Sequence, residues 1–418
     1  MQQRLLIISN NVLSNTNNNG KTILSYVDRL PRENVRQLYF SSENPTISGY
    51  KYFRLSDRDV LKGIFSTKRR GGIVNSVLKG DTVESHKRKR KITHNTFNRL
   101  AREVLWYKRW NSKQLDKWLD EYNPTAVFFV AGDCLFAYSI YEYVISKFKV
   151  ISSLYLTDDY IMPRKYETAL QKWRRKLIRN KLRKALSITD NFFTISDIMK
   201  ETYLHDLGRN SEVIVNMTES LRGEKIEFKE SEGCIIYAGS LYYGRDEVLG
   251  KVSEALERHN ENCLEEEKAV LNIYTNITPD DLQIHRICRG KSTRYCGSLN
   301  KEELTKKLNQ SKVLLFVESF EEKEIEKTKL SLSTKVPEYM SLRKPILAVG
   351  PNNIGSMLYL EDVAMCVNDE NTIYEKLHNL LCNKELQDQL GRKAEQKFIK
   401  YNNKEELQKK MIRRILIK

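Results

Sequence analysis

The run Val313-Leu314-Leu315-Phe316-Val317, followed by Glu318-Ser319-Phe320, a charged stretch, Ser331-Leu332-Ser333-Thr334-Lys335-Val336-Pro337-Glu338-Tyr339-Met340 and then Lys344-Pro345-Ile346-Leu347-Ala348, decides the fold. Five consecutive apolar residues without polar alternation suit a strand buried on both faces, and Ile346-Leu347-Ala348 reads the same way. A helical pattern lies between them, so the segment reads strand, helix, strand, the repeating unit of a parallel sheet. The rhythm extends outward. Cys234–Ala238, Val270–Tyr274, Thr293–Cys296, Val313–Val317, Pro345–Ala348 and Val363–Cys366 read as strands alternating with helices, which predicts a doubly wound domain over residues 232–394.

A polar passage over residues 217–231, beginning Met217-Thr218-Glu219-Ser220, reads as a linker, and residues 1–216 before it carry a second series. There the strands are Leu5–Ser9, Gln37–Phe40, Ala126–Val130, Val150–Leu156 and Phe192–Ile195, interrupted over about 67–117 by helices marked by Trp106, Trp110 and Leu115. Residues 395–418 read as a charged amphipathic helix expected to cross back onto the first domain. The expected fold class is therefore α/β, with two facing Rossmann-like domains and ligands in the cleft at the carboxyl ends of both sheets.

A chain of 418 residues with 40% hydrophobic and 30% charged residues is long enough for two cores and is neither disordered nor collagenous. Its apolar runs are strand-length, short of the roughly 20 residues that span a bilayer. Ser9-Asn10-Asn11 breaks the first of them too early for a signal peptide, so cytoplasmic residence is expected. The seven cysteines show no CxxC spacing and the six histidines no HExxH pattern, so free thiols and no metal site are predicted.

The formal charge of +17 is unevenly placed: residues 61–120 hold 16 Lys/Arg against 5 Asp/Glu. A second basic block runs from Arg164-Lys165 through Lys172, Arg174-Arg175-Lys176, Arg179 and Lys181 to Arg183-Lys184, interleaved with Trp173, Leu177, Ile178 and Leu182. An anionic leaflet or a lipid-linked pyrophosphate attracts such a segment by about 1 kcal/mol per basic residue. Nucleic acid would be attracted by the same physics, and a solvated helix face is the plain alternative.

The segment from Val313 to Ala348 resembles the C-terminal domain of GT-B glycosyltransferases, particularly the retaining group 1 glycosyl transferases of bacterial polysaccharide biosynthesis. The resemblance rests on Glu338-Tyr339-Met340 leading to Lys344-Pro345-Ile346-Leu347-Ala348. Helix N-termini offer N–H donors and a positive dipole end, so Ser333, Thr334 and Lys335 suit a diphosphate, and Pro337 sits where a missing N–H costs nothing. The resemblance implies that Glu338 accepts the hydroxyls of the donor ribose. Many members carry an acidic residue eight positions earlier that contacts the transferred sugar. Here that position is Leu330, so the sugar contact is expected elsewhere, around Ser331 and Ser333.

Tyr237-Ala238-Gly239-Ser240-Leu241-Tyr242-Tyr243-Gly244-Arg245 resembles the family's strand, glycine loop and arginine. Gly239, Ser240 and Gly244 would let the backbone approach the donor, and Arg245 would neutralise the leaving diphosphate. A plain turn with a surface arginine is the alternative. Tyr295-Cys296-Gly297 resembles the region against the nucleotide base.

On the acceptor side, Asn10 and Asn11 end the first strand and Asn17-Asn18-Asn19-Gly20-Lys21-Thr22 opens the next helix. Gly20-Lys21-Thr22 matches the end of a P-loop, but Asn15 stands where that motif needs glycine. The GT-B pattern instead implies a mobile Gly20 loop closing over donor phosphates and acceptor. Asp133, Asp158 and Asp159 follow strand ends, where they would bind or orient the acceptor hydroxyl, or else cap helices.

The resemblance implies an enzyme transferring a sugar from a nucleotide-diphosphate sugar, a co-substrate, to a glycan or lipid-linked acceptor. It further implies retained configuration and no metal or other cofactor, while the basic segments suggest peripheral contact with an anionic membrane and no nucleic-acid partner is expected. A nucleotide-sugar epimerase of the same fold and a basic binding protein for nucleic acid or acidic glycan are the other readings.

Overall fold

A computed structural model of the chain describes residues 3–15, 18–65, 71–76, 96–222 and 234–417. Much of the expected insertion at 67–117, most of the 217–231 linker and Asn17 lie outside the described residues. The chain divides into two compact units: residues 1–214 with 406–418, and residues 215–405. The crossing points, 214/215 and 405/406, differ from the expected 216/217 and 394/395. The later return has a packing reason, since Ala394 and Phe398 are buried and Gly391 lies so close to the Arg343 carbonyl that a Cβ there would sit 2.5 Å from it.

In unit 1 the strands are β1 (Leu5–Ser9), β2 (Val35–Tyr39), β3 (Lys51–Arg54), β4 (Gly72–Val74), β5 (Ala126–Ala131), β6 (Ile151–Leu156), β7 (Asn191–Thr194) and β8 (Glu212–Val213). They form one sheet in the order β4-β3-β2-β1-β5-β6-β7-β8, parallel except for the β3–β4 pair. The helices are α1 (Asn18–Val27), α2 (Asp57–Phe65), α3 (Thr96–Trp106), α4 (Lys113–Tyr122), α5 (Leu135–Lys147), α6 (Ala169–Leu186) and α7 (Asp197–Leu207). The central strands are buried along their length, as a sheet covered on both faces requires.

Unit 2 holds β9 (Cys234–Ala238), β10 (Val270–Tyr274), β11 (Thr293–Tyr295), β12 (Val313–Val317), β13 (Ile346–Val349) and β14 (Met365–Val367). Its helices are α8 (Arg245–Glu261), α9 (Asp281–Ile287), α10 (Lys301–Gln310), α11 (Glu322–Thr328), α12 (Lys335–Met340), α13 (Gly355–Leu360), α14 (Ile373–Cys382) and α15 (Lys384–Tyr401). The sheet order β11-β10-β9-β12-β13-β14 is wholly parallel. Counted along the unit this is 3-2-1-4-5-6, the Rossmann order, whose direction of winding reverses between β9 and β12.

The last helix, α16 (Lys404–Leu416), runs into unit 1. Met411 and Ile415 are buried there, Gln408 donates to Asp28 at 2.6 Å, and Lys410 pairs with Glu212 at 2.8 Å. No helix among the described residues is long and apolar enough to cross a membrane.

Leu315 is fully buried in the centre of β12, within the apolar core of unit 2. Leu315→Ala should lower the stability of that unit by about 2–5 kcal/mol, the usual cost of a core cavity. Urea unfolding followed by tryptophan-independent far-UV circular dichroism measures it. A loss under about 1 kcal/mol would mean that this strand is not a core strand.

Candidate functional site

At the winding reversal of unit 2, the loops leaving β9, β12 and β13 carry most of the residues singled out from sequence. Gly244 adopts φ +69 and caps α8, and a Cβ there would lie 2.6 Å from Ser319 Oγ, so no other residue fits without displacing the β12 loop. Tyr243 before it also takes a left-handed φ, of +62. Gly239 is equally constrained, by the Tyr237 ring, whose hydroxyl donates to Ser240 O at 2.6 Å. Ser240 Oγ accepts from Tyr242 N at 3.1 Å, which commits the serine to the shape of its loop.

Arg245 opens α8 and turns inward. Its Nη2 donates to both carboxylate oxygens of Glu318 at 2.9 Å, and its Nε donates to Val317 O at 3.2 Å. Glu318 is 2% exposed. Burial pushes the Glu318 carboxyl above its ordinary value against the pull of Arg245. Burial also opposes the Arg245 charge, but Glu318 outweighs it and the guanidinium ends up held more firmly protonated than usual. The guanidinium that the resemblance assigns to the leaving diphosphate is engaged here by a carboxylate 73 residues away.

The segment before α12 is pinned from several sides. Asn216 donates to Leu332 O at 2.7 Å, Asn402 donates to Asn216 O at 3.0 Å, and Gly355 N donates to Lys329 O at 2.8 Å. The N–H groups expected to await phosphate are partly used already. Ser333 N donates to Ser356 Oγ at 2.9 Å, Lys335 N to Ser333 Oγ at 3.3 Å, and Val336 N to Ser333 O at 3.2 Å. Thr334 precedes the helix in αR geometry without a side-chain cap. Pro337 falls at the third helical position, where no intrahelical N–H is lost. Lys335 Nζ donates to Glu338 Oε2 at 2.9 Å, so the phosphate and ribose candidates are joined in one half-buried ion pair. The neighbouring Tyr339 hydroxyl accepts from Ala238 N at 3.0 Å and ties α12 to the end of β9. Leu330 is buried. At β11, Gly297 takes φ +75 and its carbonyl accepts from Thr275 N at 3.0 Å.

In unit 1 the expectations fare unevenly. Gly20 is not in a loop before the first helix: it lies in the first turn of α1, where a Cβ would sit 2.3 Å from Val12 O. Asn10 is exposed. Asn11 O accepts from Ser9 Oγ at 2.9 Å and from Gln37 Nε2 at 2.9 Å, while Asn11 Oδ1 faces Asn19 Nδ2 at 3.4 Å. Gln37, which the sequence reading missed, is fully buried and satisfies the turn after β1, also accepting from Leu13 N at 3.0 Å.

Asp133 is held by Arg99 at 2.8 Å and Arg174 at 3.3 Å. Asp159 is buried, accepts from Ile161 N, Met162 N and the Tyr203 hydroxyl at 3.1, 3.0 and 2.9 Å, and faces Arg164 and Arg175, each at 3.6 Å. Both carboxylates are thus already engaged by arginines. Asp158 differs in being half-buried and bonded by Tyr160 OH at 3.3 Å. The basic block is largely spent in the same way: Arg174 faces Glu103, Arg179 pairs with Asp206, and Lys184 pairs with Glu142.

No family model matches the sequence, and no curated protein matches it. The structure is similar to sucrose-phosphate synthase from Thermosynechococcus elongatus, with TM-score 0.62 at 10% identity over 98% of this chain and 97% of that one. It is similar also to an E. coli structure described as "Trehalose-6-phosphate … bound with UDP-2-fluoro glucose", with TM-score 0.63 at 12% identity over 100% and 99%. Anabaena Alr3699/HepE in complex with UDP gives TM-score 0.63 at 8% identity over 98% of each chain. The likeness shows the fold: the chain has the GT-B architecture of two Rossmann-like domains.

Arg245→Ala should cost about 3–5 kcal/mol, because it strands the Glu318 carboxylate in the interior. In a Glu318→Gln background the same truncation should cost far less. Equal costs in a double-mutant cycle by chemical unfolding would show that the two side chains do not act as a pair.

Proposed function

We propose that the chain is a glycosyltransferase that moves a sugar from a nucleotide-diphosphate sugar to a glycan or lipid-linked acceptor in bacterial surface-polysaccharide assembly, with retention of configuration. The observation that carries this reading is the Lys335–Glu338 pair on α12, fixed by Tyr339 to the end of β9 beside the Gly239–Gly244 loop. A carboxylate beside an ammonium, at the carboxyl edge of a Rossmann sheet, offers an acceptor for ribose hydroxyls next to a donor for phosphate oxygens.

In the proposed reaction the acceptor hydroxyl attacks the anomeric carbon on the face the diphosphate leaves. The new glycosidic bond forms as the bond to the phosphate oxygen breaks, and the departing phosphate takes the hydroxyl proton. Lys335 turns from Glu338 to that oxygen as its charge develops, and Arg245 adds its field from the Glu318 pair. Two cationic side chains thus do the work a divalent ion would do, so catalysis is proposed to need no metal or other cofactor. Ser333 and Thr334 shape the phosphate side, and Asp158 is the unit 1 carboxylate best suited to orient an acceptor hydroxyl. Among bases, uridine is the first to test, since two of the similar structures hold UDP or a UDP-sugar analogue.

A peripheral site on the cytoplasmic face of the membrane is proposed on a narrower basis than the whole basic block. On and before α6, Tyr166, Leu170 and Trp173 are exposed among the exposed Lys165, Lys172 and Lys176. Trp173→Ala with Lys172→Ala and Lys176→Ala should abolish salt-sensitive co-sedimentation with anionic vesicles. Equal sedimentation of parent and variant, or none by the parent, would remove membrane attachment from the proposal.

Glu338→Ala should eliminate the rise in melting temperature produced by the cognate nucleotide sugar, while leaving the ligand-free melting temperature within a few degrees. At a ligand concentration about 100-fold above Kd the parent gains about 2.7 kcal/mol. A panel of nucleotide sugars screened by thermal shift measures this, and labelled donor incubated with and without acceptor separates transfer from epimerisation. An undiminished shift in Glu338→Ala would refute the assignment.

A further inference from the structure

Two helices of unit 2 end in the same short pattern. His259-Asn260-Glu261-Asn262-Cys263 closes α8, with Cys263 just beyond the last helical residue, and His378-Asn379-Leu380-Leu381-Cys382 closes α14. A spacing of four puts His378 and Cys382 on one side of α14, and α8 packs against α14. The two histidines, dispersed in sequence, meet: His259 Nδ1 lies 3.0 Å from His378 Nδ1. One ring nitrogen from each and the Cys382 Sγ all fall within 4.8 Å of one another.

The second contacts of these rings matter as much. His259 is fully buried, and its Nε2 lies 3.2 Å from Glu267 O, a backbone carbonyl that can only accept. Nε2 therefore carries the proton and Nδ1 presents its lone pair, the orientation that a backbone carbonyl imposes on metal-bound histidines. Cys382 Sγ lies 3.9 Å from His378 Nε2.

We propose that His259, His378 and Cys382 form three corners of a tetrahedral site, its fourth position left to a water, for a borderline-soft divalent cation of the Zn2+ class. Metal–nitrogen bonds of about 2.0–2.1 Å and metal–sulfur bonds of about 2.3 Å are reached from these positions by small side-chain rotations. Imidazole and thiolate donors select zinc over oxygen-seeking magnesium or calcium. The Cys382 thiolate offsets half of the ion's charge, and its proton is released on binding. The site's place is the amino end of the sheet: Glu267 precedes β10 and Lys312 precedes β12, whereas Arg245 opens α8 at the carboxyl end. The ion would be structural, stapling α8 to α14 and to the connection that includes Glu267.

The test uses the full chain, reduced, stripped with a chelator and titrated with Co2+. One equivalent should bind, with the visible bands of tetrahedral cobalt and a near-ultraviolet thiolate-to-cobalt band, and Zn2+ should bleach both and raise the melting temperature while Mg2+ does neither. Cys382→Ser and His378→Gln, at partly exposed positions, should fold like the parent without metal and lose the bands. Cys296→Ser, at a thiol outside the cluster, should leave the bands unchanged. Absence of the bands in the parent, or their survival in both Cys382→Ser and His378→Gln, would overturn the site.

Discussion

The Arg245–Glu318 ion pair is the constraint around which unit 2 is arranged. It spans the point where the sheet reverses its winding, joining the first residue of α8 to the residue that leaves β12. Burying two charges is costly unless the geometry is good and other bonds complete it, and here the guanidinium also reaches Val317 O. The pair dictates what surrounds it. Gly244 must be glycine because Ser319 is drawn against it, and Gly350 is crowded by Glu318 Cβ at 3.0 Å from where its own Cβ would be. With Tyr339 bridging α12 to Ala238, the loops after β9, β12 and β13 are held as one rigid rim rather than three independent connections.

That rim explains why the candidate donor groups are pre-paired. Lys335 and Glu338 neutralise each other across one helical turn, and Ser333 is bonded to Ser356. A ligand that engages them exchanges existing hydrogen bonds for its own instead of filling empty valences. Affinity then depends on the difference between two sets of bonds, which favours a ligand that can satisfy the ammonium and the carboxylate together.

The sequence made the sheet legible wherever apolar runs were continuous: Leu5–Ser9, Cys234–Ala238, Val270–Tyr274 and Val313–Val317 appear with those bounds. It concealed β3, where Lys51 and Arg54 flank only two apolar residues, and the short edge strands β4 and β8. The pairing of Lys335 with Glu338 follows from local spacing, so the residues could be found together. Arg245 and Glu318 are joined only by the fold, and Asp133 and Asp159 carry arginine partners that no local pattern announces. His378 and Cys382 lie four apart in the sequence, but only the packing of α8 on α14 brings His259 to them. Gln37 gave no signal at all: a buried amide reads as a surface residue until its three partners are known.

Unit 1 is built from residues 1–214 and 406–418, whereas unit 2 is one continuous stretch between them. On the ribosome the usual order, in which the first-made domain folds first, is therefore inverted. Residues 1–214 emerge early but lack Met411 and Ile415, whose apolar side chains finish their core. Unit 2 has every strand it needs before those residues are made. The early segment must wait with part of its apolar surface uncovered through the synthesis of nearly two hundred further residues. A nascent-chain chaperone has its natural substrate in that interval, and the surface it would shield is the one α16 later covers.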